Sequence, residues 1–289
     1  MSYLIIGKNG FIASKLTEYL RRSGEIVDVT SRSSDLGENE IFLDLSDIET
    51  VDAIKDEVLS KYKNIVFLAA ISSPDECSAN YESSYGVNVV GTGQLIARCL
   101  KLGVKVLFFS SDTVYGQTPE ITDEEGIVAP IGEYGKMKNE IETLFEGDDN
   151  FKSMRMSYVV SSEDRFTSYL ISCSQKQSEA DVFHPLVRAP IWLGDVLEVV
   201  PRAFEKWDEI KTSVINLVGP EILSRVDMAR IFKKLVKEMP DFKISEPDES
   251  FYVARPREIK LKSNYLEKIL GHKPITFEDA LKREIQTAQ

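Results

Sequence analysis

The sequence predicts an α/β fold in which a doubly wound parallel sheet is followed by a smaller C-terminal domain. Short apolar runs alternate with segments of helical spacing between residues 3 and 157. Such alternation is typical of a parallel sheet that helices cover on both faces. The chain has 289 residues, of which 43% are hydrophobic, so it is long enough for one large or two unequal domains with a buried core.

The first strand is predicted at residues 3–6, directly before Gly7. Residues 11–20 carry apolar side chains at helical spacing, and residues 26–29 complete a βαβ unit. The pattern then repeats, with strands at 41–43, 64–68, 104–110 and 152–157, helices that begin at Ile48 and Tyr81, and a helix over 133–145.

After residue 158 the alternation becomes irregular, and residues 190–204 and 214–218 are candidates to return to the first sheet. We therefore predict one domain from residues 1–158 plus about 190–218, and a second from about 159–189 and 219–289. In the second domain, Ser224 opens a helix over 225–239. Thr276 and Asp279 have capping-box spacing before a last helix that begins at Phe277.

Composition argues against several classes of partner. The net charge is -12 and the pI is near 4.9, so the surface would repel nucleic-acid phosphates and anionic lipids. No apolar stretch approaches the roughly 20 residues needed to cross a bilayer, and we expect a cytoplasmic protein. Three cysteines without CxxC spacing and only two histidines predict neither a disulfide framework nor a metal site.

The segment GKNGFIA at residues 7–13 follows a strand and opens a helix, as a glycine-rich pyrophosphate loop does. Gly7 and Gly10 permit the turn and let backbone N–H groups approach phosphate oxygens, where a side chain would obstruct. We predict a Rossmann dinucleotide site that includes Lys8, Phe11 and Ile12 as well. An ordinary turn between a strand and a helix is the alternative.

The end of the second strand bears on which dinucleotide binds. A carboxylate there would bind the NAD ribose, but the sequence has Val-Thr-Ser-Arg at residues 29–32. Ser31, Arg32 and Lys8 could instead hold a 2′-phosphate, because cations pair with it. The sequence therefore favours NADP(H), with NAD as the alternative. Arg32 could also be an ordinary solvated cation.

Tyr134 and Lys138 are four residues apart at the start of a predicted helix, so their side chains share one face. A tyrosine half-ionised at neutral pH needs its pKa lowered by about three units, or roughly 4 kcal/mol, and the adjacent ammonium and a bound nicotinamide cation can supply much of this. Ser111 follows the strand at 104–110, where active-site groups of doubly wound sheets lie, and it could hydrogen-bond a substrate oxygen. Ser110 is a rival for that role.

Five segments occur in an order that resembles the extended short-chain dehydrogenase/reductase family of nucleotide-sugar epimerases, dehydratases and reductases. They are residues 7–13, 67–70, 88–92, 111–116 and 134–138. The resemblance spans nearly the whole chain, and segments 192–196 and 253–257 also match later parts of the family. It implies that Ser111, Tyr134 and Lys138 are catalytic.

The resemblance also implies further binding residues. On the cofactor side these are Asp44, Leu45, Leu68, Ala69, Ala70, the structural asparagine Asn88, and the catalytic pair itself; on the substrate side they are Asp112, Thr113 and Arg255. Glu142 matches the acidic residue that follows the family's lysine. Each of three residues could instead have a purely structural role: Asp44 as a turn former, Asn88 as an ordinary helix residue and Glu142 as an i,i+4 partner of Lys138.

A few positions indicate which subfamily of enzymes the chain resembles. Residues 111–113 lack the glutamate that the family's dehydratases carry, while Arg255-Pro256 and residues 261–270 resemble nucleotide-sugar 4-keto reductases of the dTDP-4-dehydrorhamnose reductase type. Gly116 instead matches the epimerase pattern. The resemblance thus implies an NADPH-dependent reductase of a nucleotide sugar. A cofactor-retaining 4-epimerase and a non-catalytic NAD(P)-binding regulator are the alternatives, and a homodimer through helices at 81–102 and 133–145 is a further expectation.

Overall fold

The computed structural model describes residues 1–287, so residues 288 and 289 of the second predicted domain lie outside the described part. Thirteen strands occur within residues 1–287. They are β1 (Ser2–Ile6), β2 (Ile26–Ser31), β3 (Glu40–Phe42), β4 (Asn64–Phe67), β5 (Lys105–Ser111), β6 (Phe151–Met156), β7 (Val159–Val160), β8 (Ala180–Phe183), β9 (Val187–Arg188), β10 (Ile191–Trp192), β11 (Val214–Leu217), β12 (Leu223–Ser224) and β13 (Phe242–Ser245).

The α-helices of the same residues follow in chain order. They are α1 (Phe11–Arg22), α2 (Ile48–Ala53), α3 (Asp56–Leu59), α4 (Pro74–Ala79), α5 (Tyr81–Tyr85), α6 (Thr92–Lys101), α7 (Glu133–Leu144), α8 (Arg165–Lys176), α9 (Leu193–Glu205), α10 (Arg225–Leu235), α11 (Glu249–Tyr252), α12 (Leu266–Leu270) and α13 (Phe277–Thr287). A π-helical segment, Gly86–Gly91, joins α5 to α6, and a 3₁₀ turn, Asp112–Tyr115, follows β5. Among the described residues, none of these helices is both long and apolar enough to cross a bilayer.

The central sheet has seven parallel strands in the order β11-β6-β5-β4-β1-β2-β3. The predicted doubly wound α/β class is therefore confirmed. Strand order reverses between β1 and β4, and ligands of such sheets bind at that reversal, beyond the carboxyl ends of the strands. The glycine turn after β1 lies at this point.

Helices cover both faces of the sheet because each presents an apolar stripe to it. On one face α1, α9 and α12 pack on the sheet, with Leu16 and Val199 fully buried. On the other face α6 and α7 do so through Leu95 and Ile141. A third apolar cluster joins α8, α10 and α13. Helices packed on both faces therefore fix the positions of the carboxyl ends of the strands.

Two segments differ from the sequence prediction. Residues 190–204 do not enter the central sheet: β10 pairs with β7, and α9 follows at once. The helix predicted over 225–239 ends at Leu235, where the Val236 amide donates to the Phe232 carbonyl. Pro240 follows, and the residue before a proline disfavours the helical conformation. Residues 214–217 do join the sheet, and the division into two domains stays a prediction.

Candidate active site

A cavity of about 290 Å³ lies where the sheet order reverses. The predicted cofactor residues that line it are Gly7, Lys8, Gly10, Ser31, Arg32, Asp44, Leu45, Leu68, Ala69 and Ala70. These residues come from the ends of β1, β2 and β4 and from the loop after β3. Phe11 and Ile12 begin α1 beside the cavity. The fold thus brings one end of the predicted dinucleotide site together from four separate segments.

The turn after β1 is shaped for close backbone approach. Gly7 has a φ of 106°, and its amide donates to the Thr30 hydroxyl at 3.0 Å. A Cβ on Gly7 would lie 2.9 Å from Ala69, so a larger residue does not fit between β1 and β4. Gly10 precedes α1, and no side chain caps this helix among the described residues. The first amides of α1 and the helix dipole therefore suit a phosphate group.

Two cations of the predicted cofactor site, Lys8 and Arg32, line the cavity, and only their lining of it is shared. The Lys8 ammonium pairs with the carboxylate of Glu40, which begins β3. Glu40 was not predicted from the sequence, because a carboxylate was expected only at the end of β2. Arg32 is exposed, and within residues 1–287 it forms no ion pair or hydrogen bond with another side chain. Hydrogen bonds from Ser46 lower the pKa of Asp44, and the charge of Arg32 contributes.

Asn88 braces the loop that closes the cavity. Its Oδ1 accepts from the Ile71 amide at 2.8 Å, and its Nδ2 donates to the Ile71 carbonyl at 2.9 Å. Asn88 lies in the π-helical segment, which is inserted into the helix predicted from Tyr81 onward. Such bulges are frequent at functional sites. Its contacts are those of a structural residue rather than of a plain helix residue.

Tyr134 and Lys138 lie on the first two turns of α7, at the carboxyl end of β5. Lys138 is 3% exposed. Its Nζ donates to the Phe109 carbonyl at 2.8 Å and lies 5.8 Å from the centre of the Tyr134 ring. A Cβ on Gly135 would lie 2.9 Å from the Thr113 carbonyl, so α7 begins directly against the turn that carries Ser111. The structure therefore brings the three predicted catalytic residues to one edge of the sheet.

Burial dominates the electrostatics of this pair. It raises the pKa of the Tyr134 hydroxyl, with further contributions from the charges of Cys77 and Asp112. Burial also lowers the pKa of Lys138 to about 7, against the opposing charge of Glu142. The lowering of the Tyr134 pKa expected from the ammonium together with a bound nicotinamide cation stays a prediction.

Ser111 is held in place by its neighbour Thr113. The Ser111 Oγ accepts from the Thr113 amide at 3.2 Å and from the Thr113 hydroxyl at 2.9 Å, and it donates to Asp112 at 3.4 Å. Ser110 points away from this turn, because side chains alternate along a strand, and its buried Oγ has no partner among the described residues. Ser111 is the better placed of the two serines.

Asp112 is buried and points into the protein. Its Oδ2 accepts from the Ser157 hydroxyl at 2.9 Å and lies 3.6 Å from Nε of Arg188. Burial raises the pKa of Asp112, while the guanidinium of Arg188 opposes the rise. Arg188 was not predicted from the sequence as a site residue. A single arginine within the apolar run PLVRAPIWL was the only available signal.

Arg255 spans the space between α4 and the C-terminal part of the chain. Its Nη1 and Nη2 donate to the two carboxylate oxygens of Asp75 at 2.7 and 2.6 Å. The guanidinium also lies 4.7 Å from the Phe251 ring centre. This geometry is that of the ion-pair role, which the sequence left open beside a substrate role. The substrate role stays a prediction.

Outside this site, Asp195, Glu198 and His272 bring one ligand atom each to within 4.8 Å of one another. The prediction of no metal site rested on the small number of histidines and did not anticipate this group. Arg202 already pairs with the Glu198 carboxylate. His272 Nε2 lies 3.4 Å from the same carboxylate, an arrangement that an ion pair explains.

The burial of Lys138 has a consequence for stability. Its pKa falls from 10.5 to about 7, so between these values the unfolded chain carries a proton that the folded protein has released. The stability linked to Lys138 therefore rises with pH across this window and is constant below it. We expect Lys138→Met to remove this rise in the free energy of unfolding, which is roughly 4 kcal/mol. Urea unfolding at pH 7 and pH 10 measures it. Lys136→Met, an exposed lysine of α7, is the control, and equal behaviour of the two variants would contradict this account.

Comparison with known proteins finds one matching family and several similar proteins. The model of the RmlD substrate binding domain family matches residues 1–289. A dTDP-4-dehydrorhamnose reductase of Sinorhizobium fredii is 25% identical over 300 residues, which cover 98% of this chain and 96% of that protein. An N-acetyl-alpha-D-glucosaminyl-diphospho-ditrans,octacis-undecaprenol 4-epimerase of Escherichia coli O157:H7 is 31% identical over 144 residues. That match spans 49% of this chain and 41% of the epimerase.

Solved structures share the fold. The crystal structure of a dTDP-4-dehydrorhamnose reductase from Bacillus anthracis in complex with NADP superposes with a TM-score of 0.81 and 19% identity. The match covers 100% of this chain and 99% of that one. At this level of identity the likeness establishes the architecture of the chain.

Proposed function

The chain belongs to the RmlD substrate binding domain family, of the extended short-chain dehydrogenase/reductase type, and from this premise we propose that it reduces a 4-keto group of a nucleotide-linked sugar with NADPH. The observation that carries the proposal is the placement of Tyr134 and Lys138 on α7 beside the Ser111 turn. The dTDP-4-dehydrorhamnose reductase from Sinorhizobium fredii, which aligns over nearly the whole of both chains, supports the substrate class.

Different residues of the chain carry out different parts of the reduction. The nicotinamide ring, when bound, supplies a hydride to the carbonyl carbon. Ser111 holds the carbonyl oxygen by a hydrogen bond, and Tyr134 gives that oxygen its hydroxyl proton, so the ketone becomes an alcohol. Lys138 orients the cofactor ribose and faces the ring of Tyr134. The glycine turn and the first amides of α1 hold the pyrophosphate.

Both candidate reactions use the hydroxyl of Tyr134: a reductase needs it to give a proton, and a 4-epimerase needs it first to accept and then to return one. The reductase is favoured by the dTDP-4-dehydrorhamnose reductase that aligns over nearly the whole of both chains. Gly116, the one epimerase-like position, has a φ of 66° and packs against the Ala129 carbonyl, so a turn explains it equally well.

A screen of nucleotide-linked 4-keto sugars with NADPH and NADH tests the proposal. We expect absorbance of the reduced nicotinamide to fall with one substrate class, and the product to be the 4-hydroxy sugar. Interconversion of 4-hydroxy epimers without net loss of reduced cofactor would favour the epimerase. Cofactor binding without turnover of any sugar would favour the regulator.

We also propose that the protein is a homodimer. Tyr81, Val90 and Leu144 are large exposed apolar residues on the two helical segments expected to form the interface. Light scattering of the parent and of Val90→Glu would test this, and a monomeric parent would contradict it. A cytoplasmic location and the absence of nucleic-acid partners stay predictions.

We propose further that Arg32 selects NADPH over NADH. It lines the adenosine end of the cavity and has no carboxylate partner in the described part of the chain. Arg32→Ala should weaken NADPH binding by about 1 to 3 kcal/mol, the scale of hydrogen bonds to charged groups, and leave NADH binding unchanged. Isothermal titration measures both, and equal affinities of the parent for the two cofactors would contradict the assignment.

For Arg255 we propose a contact with the substrate diphosphate, because guanidinium pairs well with phosphate. A bound diphosphate would then replace Asp75 as its partner. Arg255→Ala should raise KM while the melting temperature and cofactor affinity stay near the parent values. Asp75→Asn is the matched variant: it frees Arg255 and should not raise KM. A lowered melting temperature in both variants, with KM unchanged, would show that the ion pair is structural.

A further inference from the structure

We propose that Glu40 determines how strongly this site prefers a 2′-phosphate, because it holds the ammonium of Lys8 away from the adenosine end of the cavity. The inference rests on the proposed NAD(P) site. It adds a residue that lies outside the glycine turn and outside the end of β2, where cofactor selectivity is ordinarily sought.

The Glu40 carboxylate is built into the structure rather than free in solvent. Its side chain is 10% exposed, and its Oε1 accepts from the Lys8 ammonium. A Cβ on Gly37 would lie 2.9 Å from the same oxygen, so the loop between β2 and β3 encloses the carboxylate. The hydrogen bond from Lys8 lowers the pKa of Glu40, which therefore stays ionised at neutral pH.

Glu40 acts through Lys8 and not on the cofactor itself. Lys8 and Arg32 line the dinucleotide cavity, whereas Glu40 lines the neighbouring space beside α1 together with Lys8. The Lys8 side chain, 43% exposed, can swing between these two spaces because its stem is long and flexible. Glu40 is thus a positioning residue for a cation that a 2′-phosphate would otherwise attract.

The charges explain the expected effect. With Glu40 ionised, the charge of the Lys8 ammonium is compensated, and Arg32, which forms no ion pair in the described part of the chain, supplies the positive charge at the adenosine end. Removal of the Glu40 charge releases a second cation toward a phosphate that carries up to two negative charges. NADH lacks this phosphate and carries only the pyrophosphate that both cofactors share, so its affinity should change much less.

The experiment is a double-mutant cycle on the full chain, with NADPH and NADH affinities measured by isothermal titration. Glu40→Gln keeps the shape of the side chain and removes its charge. We expect it to tighten NADPH binding about tenfold, on the scale of a hydrogen bond to a charged group, and to leave NADH binding within about twofold. In a Lys8→Met background the same change should have no effect on either cofactor.

Two further variants make the test specific. Asp35→Asn removes one negative charge from the same loop, at an exposed residue without an ion pair in the described chain, and it should leave both affinities unchanged. Glu40→Asp keeps the charge but shortens its reach, and it should tighten NADPH binding by less than Glu40→Gln. It also provides the comparison if Glu40→Gln does not fold.

The outcomes separate this inference from the proposed function. Tightening of NADPH alone, lost in the Lys8→Met background, supports the role of Glu40. Equal tightening of both cofactors, or an effect that persists without Lys8 or is matched by Asp35→Asn, overturns it while leaving the NAD(P) site intact. A parent protein that binds neither cofactor overturns the proposed function and the inference with it.

Discussion

Tyr134→Phe is expected to lower kcat by about 10² to 10⁴-fold, the usual contribution of general acid–base catalysis. The substitution keeps the ring and its packing on α7 and removes only the hydroxyl. The Lys138 ammonium, 5.8 Å from the ring centre, and the glycine turn are unchanged, so cofactor affinity should stay close to the parent value. The variant should also melt near the parent temperature. Among the described residues, the Tyr134 hydroxyl makes no hydrogen bond that the substitution would remove.

The matched comparison is Lys138→Met on the same helix face. It removes the hydrogen bond to the Phe109 carbonyl and the proposed ribose contact, so both turnover and cofactor affinity should fall. Measuring kcat, cofactor Kd and melting temperature for both variants separates the two roles. Full activity of Tyr134→Phe would remove the catalytic assignment and favour the regulator, which binds the dinucleotide without chemistry.

The pH profile adds a second measurement. Because burial raises the pKa of Tyr134, the proton donor should remain competent through neutral pH. The pKa of Lys138, near 7, places the loss of its positive charge close to neutrality, so cofactor affinity should weaken as pH rises above this value. Lys138→Met should flatten that dependence. A parent profile without a change near pH 7 would show that bound cofactor restores the charge.

Local sequence patterns predicted the parts of this site that depend on local structure. The glycine turn follows a strand and opens a helix, and the four-residue spacing of Tyr134 and Lys138 places both on one face of α7. The parallel sheet covered on both faces follows from the alternation of strands and helices. These features need no knowledge of distant contacts.

The remaining features depend on side chains that meet across long stretches of chain. Lys8 and Glu40 are 32 residues apart, and Arg255 and Asp75 are 180 apart. Neither pairing leaves a periodic signal, because each is fixed by packing of whole elements rather than by helix or strand geometry. The burial of Lys138 could not be predicted either, since a spacing rule gives its distance from Tyr134 but not its exposure to solvent.

Glu142 provides an example over a shorter stretch, because its partner on the neighbouring strand is 13 residues away. The sequence offered it as an i,i+4 partner of Lys138, but its carboxylate pairs with Arg155 on β6, with Nη2 at 2.6 Å and Nε at 3.0 Å. The Ser153 hydroxyl also donates to it at 2.9 Å, and the guanidinium lies 4.7 Å from the Tyr115 ring centre. The two charged side chains are 7% and 6% exposed. This pair therefore ties the helix of the catalytic residues to the central sheet.

Glu142→Gln should destabilise the protein by about 3 to 5 kcal/mol, because it leaves the Arg155 guanidinium buried without a counter-charge. Urea unfolding measures the change, and the slope of the transition should stay constant if the folded state is otherwise intact. Glu133→Gln is the control on the same helix: its partner Lys136 is half exposed, and such pairs contribute about 0 to 1 kcal/mol. Replacement of both partners, Glu142→Met with Arg155→Met, should recover part of the loss, because no unpaired charge then remains. Equal effects of Glu142→Gln and Glu133→Gln would mean that the buried pair stabilises α7 no more than a surface pair does.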